Sequence, residues 1–376
     1  MPERTYAELG PYSDLVDAAR ALAPLFPTEP LTRGAAQQVL RFTVGDEQPR
    51  DLRLERTWES DGVFGEALSW SVGFGPRTQG YLLKPVDATG KLPGVLALAD
   101  HGHYKYHARD RIADGPDGPP DAVWPYRETY YGGRAYANAL ARRGFAVLVY
   151  DTFLWGRRRF PIETMPERDT EFSAALGPTL GHGDIDADVL RYNGAAYLHE
   201  NIVAKYLNLL GTSFAAVTAY EDRVARNVLG GRDDVDARRT GCVGFSGGGM
   251  RASMLGATAE GIAARVIVGM MATYEELLDR LVAPHTWMLF PAGLGRVGDV
   301  PDLAGSAAPA PLLVQYALGD AMFTEKGMRD ADQRIRGYYQ RAGAPDAYRG
   351  EVYPGPHRFD LEMQEAAFGW LKRELV

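Results

Sequence analysis

Short apolar runs recur along the chain, separated by segments with helical spacing. Residues 92–99, 145–150, 240–245, 264–270 and 311–317 are apolar nearly throughout, as expected of strands buried on both faces. Residues 52–58 and 67–85 alternate between apolar and polar, which predicts antiparallel strands opening the sheet, and 349–353 predicts a late strand. Segments 134–143, 250–257 and 361–375 contain no proline and read as helices. Leu207, Leu210, Phe214, Val217, Val224 and Val228 recur at steps of three, four and seven, predicting one long helix whose apolar stripe packs on the sheet. Strands alternating with helices predict an α/β protein with a doubly wound, mostly parallel sheet and ligands at the strands' carboxyl ends.

Three stretches fall outside this rhythm: 107–133, 151–200 and 271–310. Long loops within a compact domain are commonly functional, so these are expected to form rim or lid insertions. The chain has 376 residues, 45% of them hydrophobic, and no low-complexity linker divides it. One elaborated domain over 51–376, preceded by a helical N-terminal extension over 1–50, accounts for the length. In that extension Ser13 is the expected cap of an amphipathic helix over 15–25.

The chemistry concentrates in Gly241-Cys242-Val243-Gly244-Phe245-Ser246-Gly247-Gly248-Gly249-Met250, an apolar run ending in a serine walled by glycines. Gly244, Ser246 and Gly248 fit the G-x-S-x-G elbow, a tight strand-to-helix turn that holds a serine hydroxyl clear of the sheet. Ser246 is therefore the candidate nucleophile. Its base should lie late in the chain, after an acid. His357 follows the predicted strand 349–353, whereas His285 follows none, so His357 is preferred as the base. Asp320 comes directly after the run 311–317, where a carboxylate can orient the imidazole; helix capping near Thr324 is its competing role. Asp330 and Asp360 follow no buried strand and are weaker rivals.

A developing oxyanion needs donors. The N–H of Gly247 supplies one, and the loop Asp100-His101-Gly102-His103-Tyr104 the other, through His103, with Gly102 permitting close approach. The same loop admits a rival reading in which His101, His103 and His107, with Asp100 and Asp110, bind a metal. The metallohydrolase H-x-H-x-D-H run is absent, however, and Lys105 is a poor neighbour for a dication. No metal and no organic cofactor is expected.

These landmarks resemble the alpha/beta-hydrolase superfamily, and within it the acetyl xylan esterase and dienelactone-hydrolase-like branch. The resemblance spans about residues 82–376. It rests on His101-Gly102-His103, Asp151 with Gly156-Arg157, Gly244 to Gly249, Gly319-Asp320 and Gly355-Pro356-His357. Dienelactone hydrolases proper carry cysteine where this chain has Ser246, which argues against that reaction. The resemblance implies hydrolysis of a small acyl ester, such as an acetylated carbohydrate, through an acyl-enzyme. Amide, lactone or peptide-bond cleavage by the same residues, and a non-catalytic binding protein on the same fold, are the alternatives. His101, Tyr104, Trp124, Trp155 and Trp287 are the expected substrate contacts.

The net charge of −8 disfavours nucleic acid, whose backbone rewards clustered cations. Arg157-Arg158-Arg159 is a local exception, read as a solvated or ion-paired rim segment. The single cysteine, Cys242, excludes an internal disulfide and is expected to be buried. The first residues lack signal-peptide character and no apolar run reaches membrane-spanning length. The expectation is a cytoplasmic protein acting on a small-molecule ester, without membrane or nucleic-acid partners, with homo-oligomerisation left open.

Overall fold

The structure is a computed structural model that describes residues 5–176, 179 and 185–376. Its centre is a nine-stranded sheet of β1 (Arg50–Ser60), β2 (Val63–Ser71), β3 (Thr78–Pro85), β4 (Leu92–Leu98), β5 (Ala146–Tyr150), β6 (Val235–Phe245), β7 (Ala264–Val268), β8 (Leu312–Ala317) and β9 (Tyr348–Tyr353). The order is β1-β2-β3-β5-β4-β6-β7-β8-β9. The first three pairings, ending with β3 on β5, are antiparallel, and the remaining five are parallel. This is the expected mostly parallel α/β sheet. Strands β5, β7 and β8 are buried at every residue, consistent with their continuous apolar runs. In contrast, β1 is exposed over nearly its whole length and carries Arg50, Asp51, Arg53, Glu55, Arg56 and Glu59, charges that blunt a free edge against pairing with another chain.

The helices are α1 (Asp14–Leu22), α2 (Arg33–Val39), α3 (Trp124–Tyr131), α4 (Tyr136–Ala141), α5 (Glu167–Leu176), α6 (Ala187–Leu209), α7 (Phe214–Gly230), α8 (Gly247–Thr258), α9 (Tyr274–Leu277), α10 (Leu294–Val297), α11 (Val300–Gly305), α12 (Glu325–Arg341) and α13 (Leu361–Leu375). Helix α8 packs on β4, β6 and β7, and α7 on β4, β5 and β6. The single helix expected across 207–228 is instead two, α6 and α7, bent by 86°. The break follows from Gly211, which is left-handed at φ 72°, and from Ser213, whose side chain caps α7 by accepting from the Ala216 N–H. Leu210 is consequently 74% exposed and leaves the apolar stripe. The insertion 151–200 likewise holds α5 and the first turns of α6, so it is helical over much of its length. Among the described residues no single helix is long and apolar enough to cross a membrane.

The N-terminal segment lies against the domain. The Tyr338 hydroxyl accepts from the Leu31 N–H at 2.5 Å, Arg33 donates to the Ala259 carbonyl at 2.8 Å, and the Phe26 N–H donates to the Gly295 carbonyl. Ser13 does not cap α1 with its side chain. Its hydroxyl is taken by Tyr6 and Gly10, accepting from one N–H and donating to the other's carbonyl. Arg158, expected on a rim, is buried and paired with Glu221 at 2.6 Å. Cys242 is buried, and burial pushes its thiol up to about 12.

Candidate active site

Four strand ends meet at the sheet's carboxyl edge. The loop beginning at Asp100 follows β4, Ser246 follows β6, Asp320 follows β8, and His357 follows β9. This edge is where open α/β sheets bind ligands.

The elbow leaves no room for side chains on either flank of Ser246. A Cβ on Gly244 would lie 2.1 Å from the Gly248 carbonyl oxygen, and one on Gly248 the same distance from the Leu98 oxygen. Ser246 itself has φ 53° and ψ −122°, a conformation costly for a residue with a Cβ and persistent only where its surroundings enforce it. The Ser246 N–H donates to the Val268 carbonyl at 2.8 Å, and the Ser246 carbonyl accepts from Gly249 and Met250. Gly247 opens α8, so its N–H has no acceptor within the helix.

Asp320 and His357 are 37 positions apart in the chain. They meet because β8 and β9 are parallel neighbours in register, with Ala317 opposite Tyr353. Beyond the strands, Leu318 and Gly319 donate to the carbonyls of Tyr353 and Gly355, which zips the two turns together. His357 Nδ1 then lies 2.5 Å from Asp320 Oδ2, with the carboxylate side chain 1% exposed and the imidazole 16%. Asp320 Oδ1 accepts from the Met322 N–H at 2.9 Å. The rival His285 has no such carboxylate; its Nε2–H donates to the Met322 carbonyl at 3.1 Å.

Ser246, Gly247, His357, His101, Gly102 and His103 line one pocket of about 100 Å³, whose remaining wall is largely apolar and includes Met250, Met270, Met288 and Phe323. A second cavity of about 290 Å³ adjoins it, sharing His101, His103, His285 and Thr286 and adding Tyr197, Asn201 and Trp287. Behind the pocket the loop after β4 is braced by buried charge. Asp100 accepts from Arg111 at 2.7 Å and from the hydroxyls of Tyr126 and Tyr131. Burial works against the ionised Asp100 carboxylate, but Arg111 and the two hydroxyls outweigh it and hold its pKa below the usual range.

The expected substrate contacts divide. His101 lines the pocket and Trp287 the adjoining cavity, where Trp287 donates from Nε1 to Asn201 at 2.9 Å. The other three do not line either space. Tyr104 is fully buried, with its hydroxyl donated to the Ala122 carbonyl. Trp155 is buried behind the loop, stacked on Phe214 at 5.5 Å and donating to the His101 carbonyl. Trp124 begins α3, 42% exposed, with the Arg127 guanidinium over its ring. Their aromatic character serves packing and surface contacts.

Of the histidines considered as metal ligands, His101 is engaged by a carboxylate outside that set, and His107 pairs with Asp110 of the same set. His101 Nε2 lies 2.9 Å from Glu200, and His107 lies 3.4 Å from Asp110. Among the described residues no group of three or more His, Cys, Asp or Glu side chains is arranged to hold a metal ion. Sequence reasoning missed Glu200, which reaches the loop from α6 and also pairs with Lys105. Its position did carry a signal: Val189, Asn193, Ala196, Glu200, Val203 and Leu207, all buried, alternate steps of four and three, so an acid occupies the helix's inward stripe.

No protein-family model matches the chain. It is 21% identical over 309 residues, 81% of this chain and 86% of the other, to the protein named "Putative hydrolase YtaP" of Bacillus subtilis (strain 168). Solved structures resemble it over most of its length. A protein described as a "putative acetyl xylan esterase" from Bacteroides fragilis NCTC 9343 gives a TM-score of 0.65 at 16% identity, with 92% of this chain and 82% of that one covered. A glucuronoyl esterase from Solibacter usitatus gives 0.59 at 14% identity, with 92% of each chain covered. Acetyl xylan esterase 1 from Thermoanaerobacterium sp. JW/SL YS485 gives 0.51 at 14% identity, covering 95% and 98%. Sheet order, flanking helices and these structural likenesses agree, and the chain has the alpha/beta-hydrolase fold.

Proposed function

We propose that this protein is a serine hydrolase of carboxylic esters. One observation carries the reading: His357 Nδ1 sits 2.5 Å from a buried Asp320 carboxylate while the same imidazole and the elbow serine line one pocket. In the proposed cycle Ser246 attacks the ester carbonyl as His357 takes its proton, and Asp320 orients the ring and stabilises the imidazolium. The N–H of Gly247 and a backbone N–H of the loop after β4 stabilise the oxyanion; the His103 N–H expected for this role is instead held by His101 Nδ1 at 3.1 Å, so the loop's candidate donor is that of Gly102, which lines the same pocket. His357 then protonates the departing alcohol, and a water it activates releases the acid from the acyl-enzyme.

The pocket's small volume and methionine-rich wall favour a short acyl group over a long chain. The wider adjoining cavity, edged by Trp287, Tyr197 and Asn201, suits the alcohol. The esterase neighbours, two of them acetyl xylan esterases and one a glucuronoyl esterase by name, support a carbohydrate ester as substrate class. The test is a panel of chromogenic short-chain esters and acetylated oligosaccharides, assayed with and without a chelator. The reading predicts turnover by the wild type that survives chelation and falls by at least about 10⁴-fold in Ser246→Ala. Equal activity in Ser246→Ala would exclude Ser246 as nucleophile, and loss on chelation would promote the histidines of the loop as metal ligands.

A further inference from the structure

Glu200 is not one of the reacting groups, yet it is the most heavily engaged carboxylate at the pocket. Oε2 faces His101 Nε2 at 2.9 Å and the ammonium of Lys105. Oε1 accepts from the Thr286 hydroxyl at 2.6 Å and the Trp287 N–H at 2.9 Å. These four donors come from two segments remote in sequence, the loop after β4 and the insertion after β7, and both are tied to α6 through one side chain. Burial works against ionised Glu200, but Lys105 and then His101 outweigh it and hold its pKa well below the usual range.

His101 has a second bond. Its Nδ1 accepts from the N–H of His103 at 3.1 Å. A ring nitrogen that accepts from a backbone N–H carries no proton, so the proton of the neutral ring resides on Nε2, where Glu200 receives it. Burial lowers the imidazole's pKa, against the pull of Glu200, which favours this neutral form. The residues held this way are unusual: Gly102 has φ 55° and His103 φ 49°. The left-handed region is uncommon for a residue with a Cβ and needs support from its surroundings.

We propose that Glu200 is a positioning residue of this active site: by fixing His101 as the Nε2–H tautomer it makes Nδ1 an acceptor, and that acceptor holds the left-handed Gly102–His103 turn beside Ser246. The catalytic consequence rests on the hydrolase reading above, whereas the tautomer does not. The carboxylate also registers Thr286 and Trp287 against the loop, so the turn and the far wall of the adjoining cavity share one anchor.

Glu200→Gln alone would strand the buried ammonium of Lys105, so the informative variant is Glu200→Gln combined with Lys105→Met, which removes both charges and roughly conserves volume. A glutamine has one accepting oxygen and cannot serve His101 on one side and Thr286 with Trp287 on the other. With its oxygen on Thr286 and Trp287, its amide N–H faces His101 Nε2 and drives the ring proton to Nδ1, against the His103 N–H. Imidazole nitrogen NMR on labelled protein should then give Nε2–H for His101 in the wild type and Nδ1–H in the folded double variant. On a short-chain ester, kcat should fall about 100-fold with KM within about twofold. His101→Asn places an amide oxygen near the position of Nδ1 and should retain kcat within about tenfold, while His101→Leu should match the double variant.

A wild-type His101 protonated on Nδ1, an unchanged kcat in a folded double variant, or equal losses in His101→Asn and His101→Leu would each overturn the proposal. The NMR measurement needs no turnover. A protein inactive on every ester but carrying the Nε2–H tautomer would therefore refute the hydrolase reading and leave the Glu200–His101 lock standing.

Discussion

The two sides of the candidate pocket are built in opposite ways. On the side of the loop after β4, the pocket rests on buried charge: Asp100 held by Arg111, Tyr126 and Tyr131, and Glu200 held by Lys105 and His101. On the other side, His357 stands on a short turn after β9, partly open to solvent, with Asp320 as its one charged partner among the described residues, at 2.5 Å. The difference follows from the work each side would do. Backbone donors for an oxyanion must be fixed before the reaction begins, because reorienting them during it would cost what they are meant to save. An imidazole that exchanges protons with substrate and water must stay accessible, and needs only orientation. Buried ions therefore brace the first side, and in-register strands deliver the second.

The comparison predicts that damage to the two sides separates activity from stability. Asp320→Asn should reduce kcat/KM by about 10³- to 10⁴-fold while costing only about 1 kcal/mol of unfolding free energy, checked by ester kinetics beside urea denaturation. Arg111→Met should do the reverse in emphasis. It leaves the Asp100 carboxylate buried without its cation, and about 3–5 kcal/mol of stability should be lost; a denaturation midpoint equal to wild type would show that the brace carries no weight.

A smaller effect concerns His285, which lies between the two sides. Burial pushes its imidazole down to about 4, against the hydrogen bond to the Met322 carbonyl. The unfolded chain takes up this proton near pH 6.5, so between pH 6.5 and 4 the unfolded state binds more protons and stability falls as the pH drops. From pH 7 to pH 4, wild type should lose about 3 kcal/mol more than His285→Gln, since other titrating groups are common to both. Parallel pH profiles for the two proteins would remove His285 from this account. The smallest effect is expected for Trp124→Ala, which lies outside both cavities. Its kcat/KM should stay within about twofold of wild type, and a larger loss would place Trp124 on the substrate's path.

The sheet and the edge that carries the candidate site were legible because they depend on local signals. Continuous apolar runs marked β4 to β8, and the spacing of Gly244, Ser246 and Gly248 marked a turn that only glycines at both flanks allow. Asp320 and His357, which the structure pairs, were proposed from their places just beyond strands. Direction and partnership were harder to read. Trp155 and Trp287 look alike in sequence, yet one is stacked on Phe214 and the other stands beside a cavity. The stripe from Leu207 to Val228 concealed a bend because Gly211 and Ser213 interrupt it without disturbing its spacing. Glu200 was passed over because its four donors lie on segments far away in the chain.

The central claim is that Ser246 is a nucleophile activated by His357 and Asp320, and covalent trapping tests it most directly. Wild-type protein treated with a fluorophosphonate should gain one adduct, located by peptide mass spectrometry on Ser246, with loss of ester turnover in proportion to labelling. Ser246→Ala should remain unlabelled. Modification at another residue with Ser246 intact, or full turnover by a protein labelled stoichiometrically on Ser246, would contradict the account.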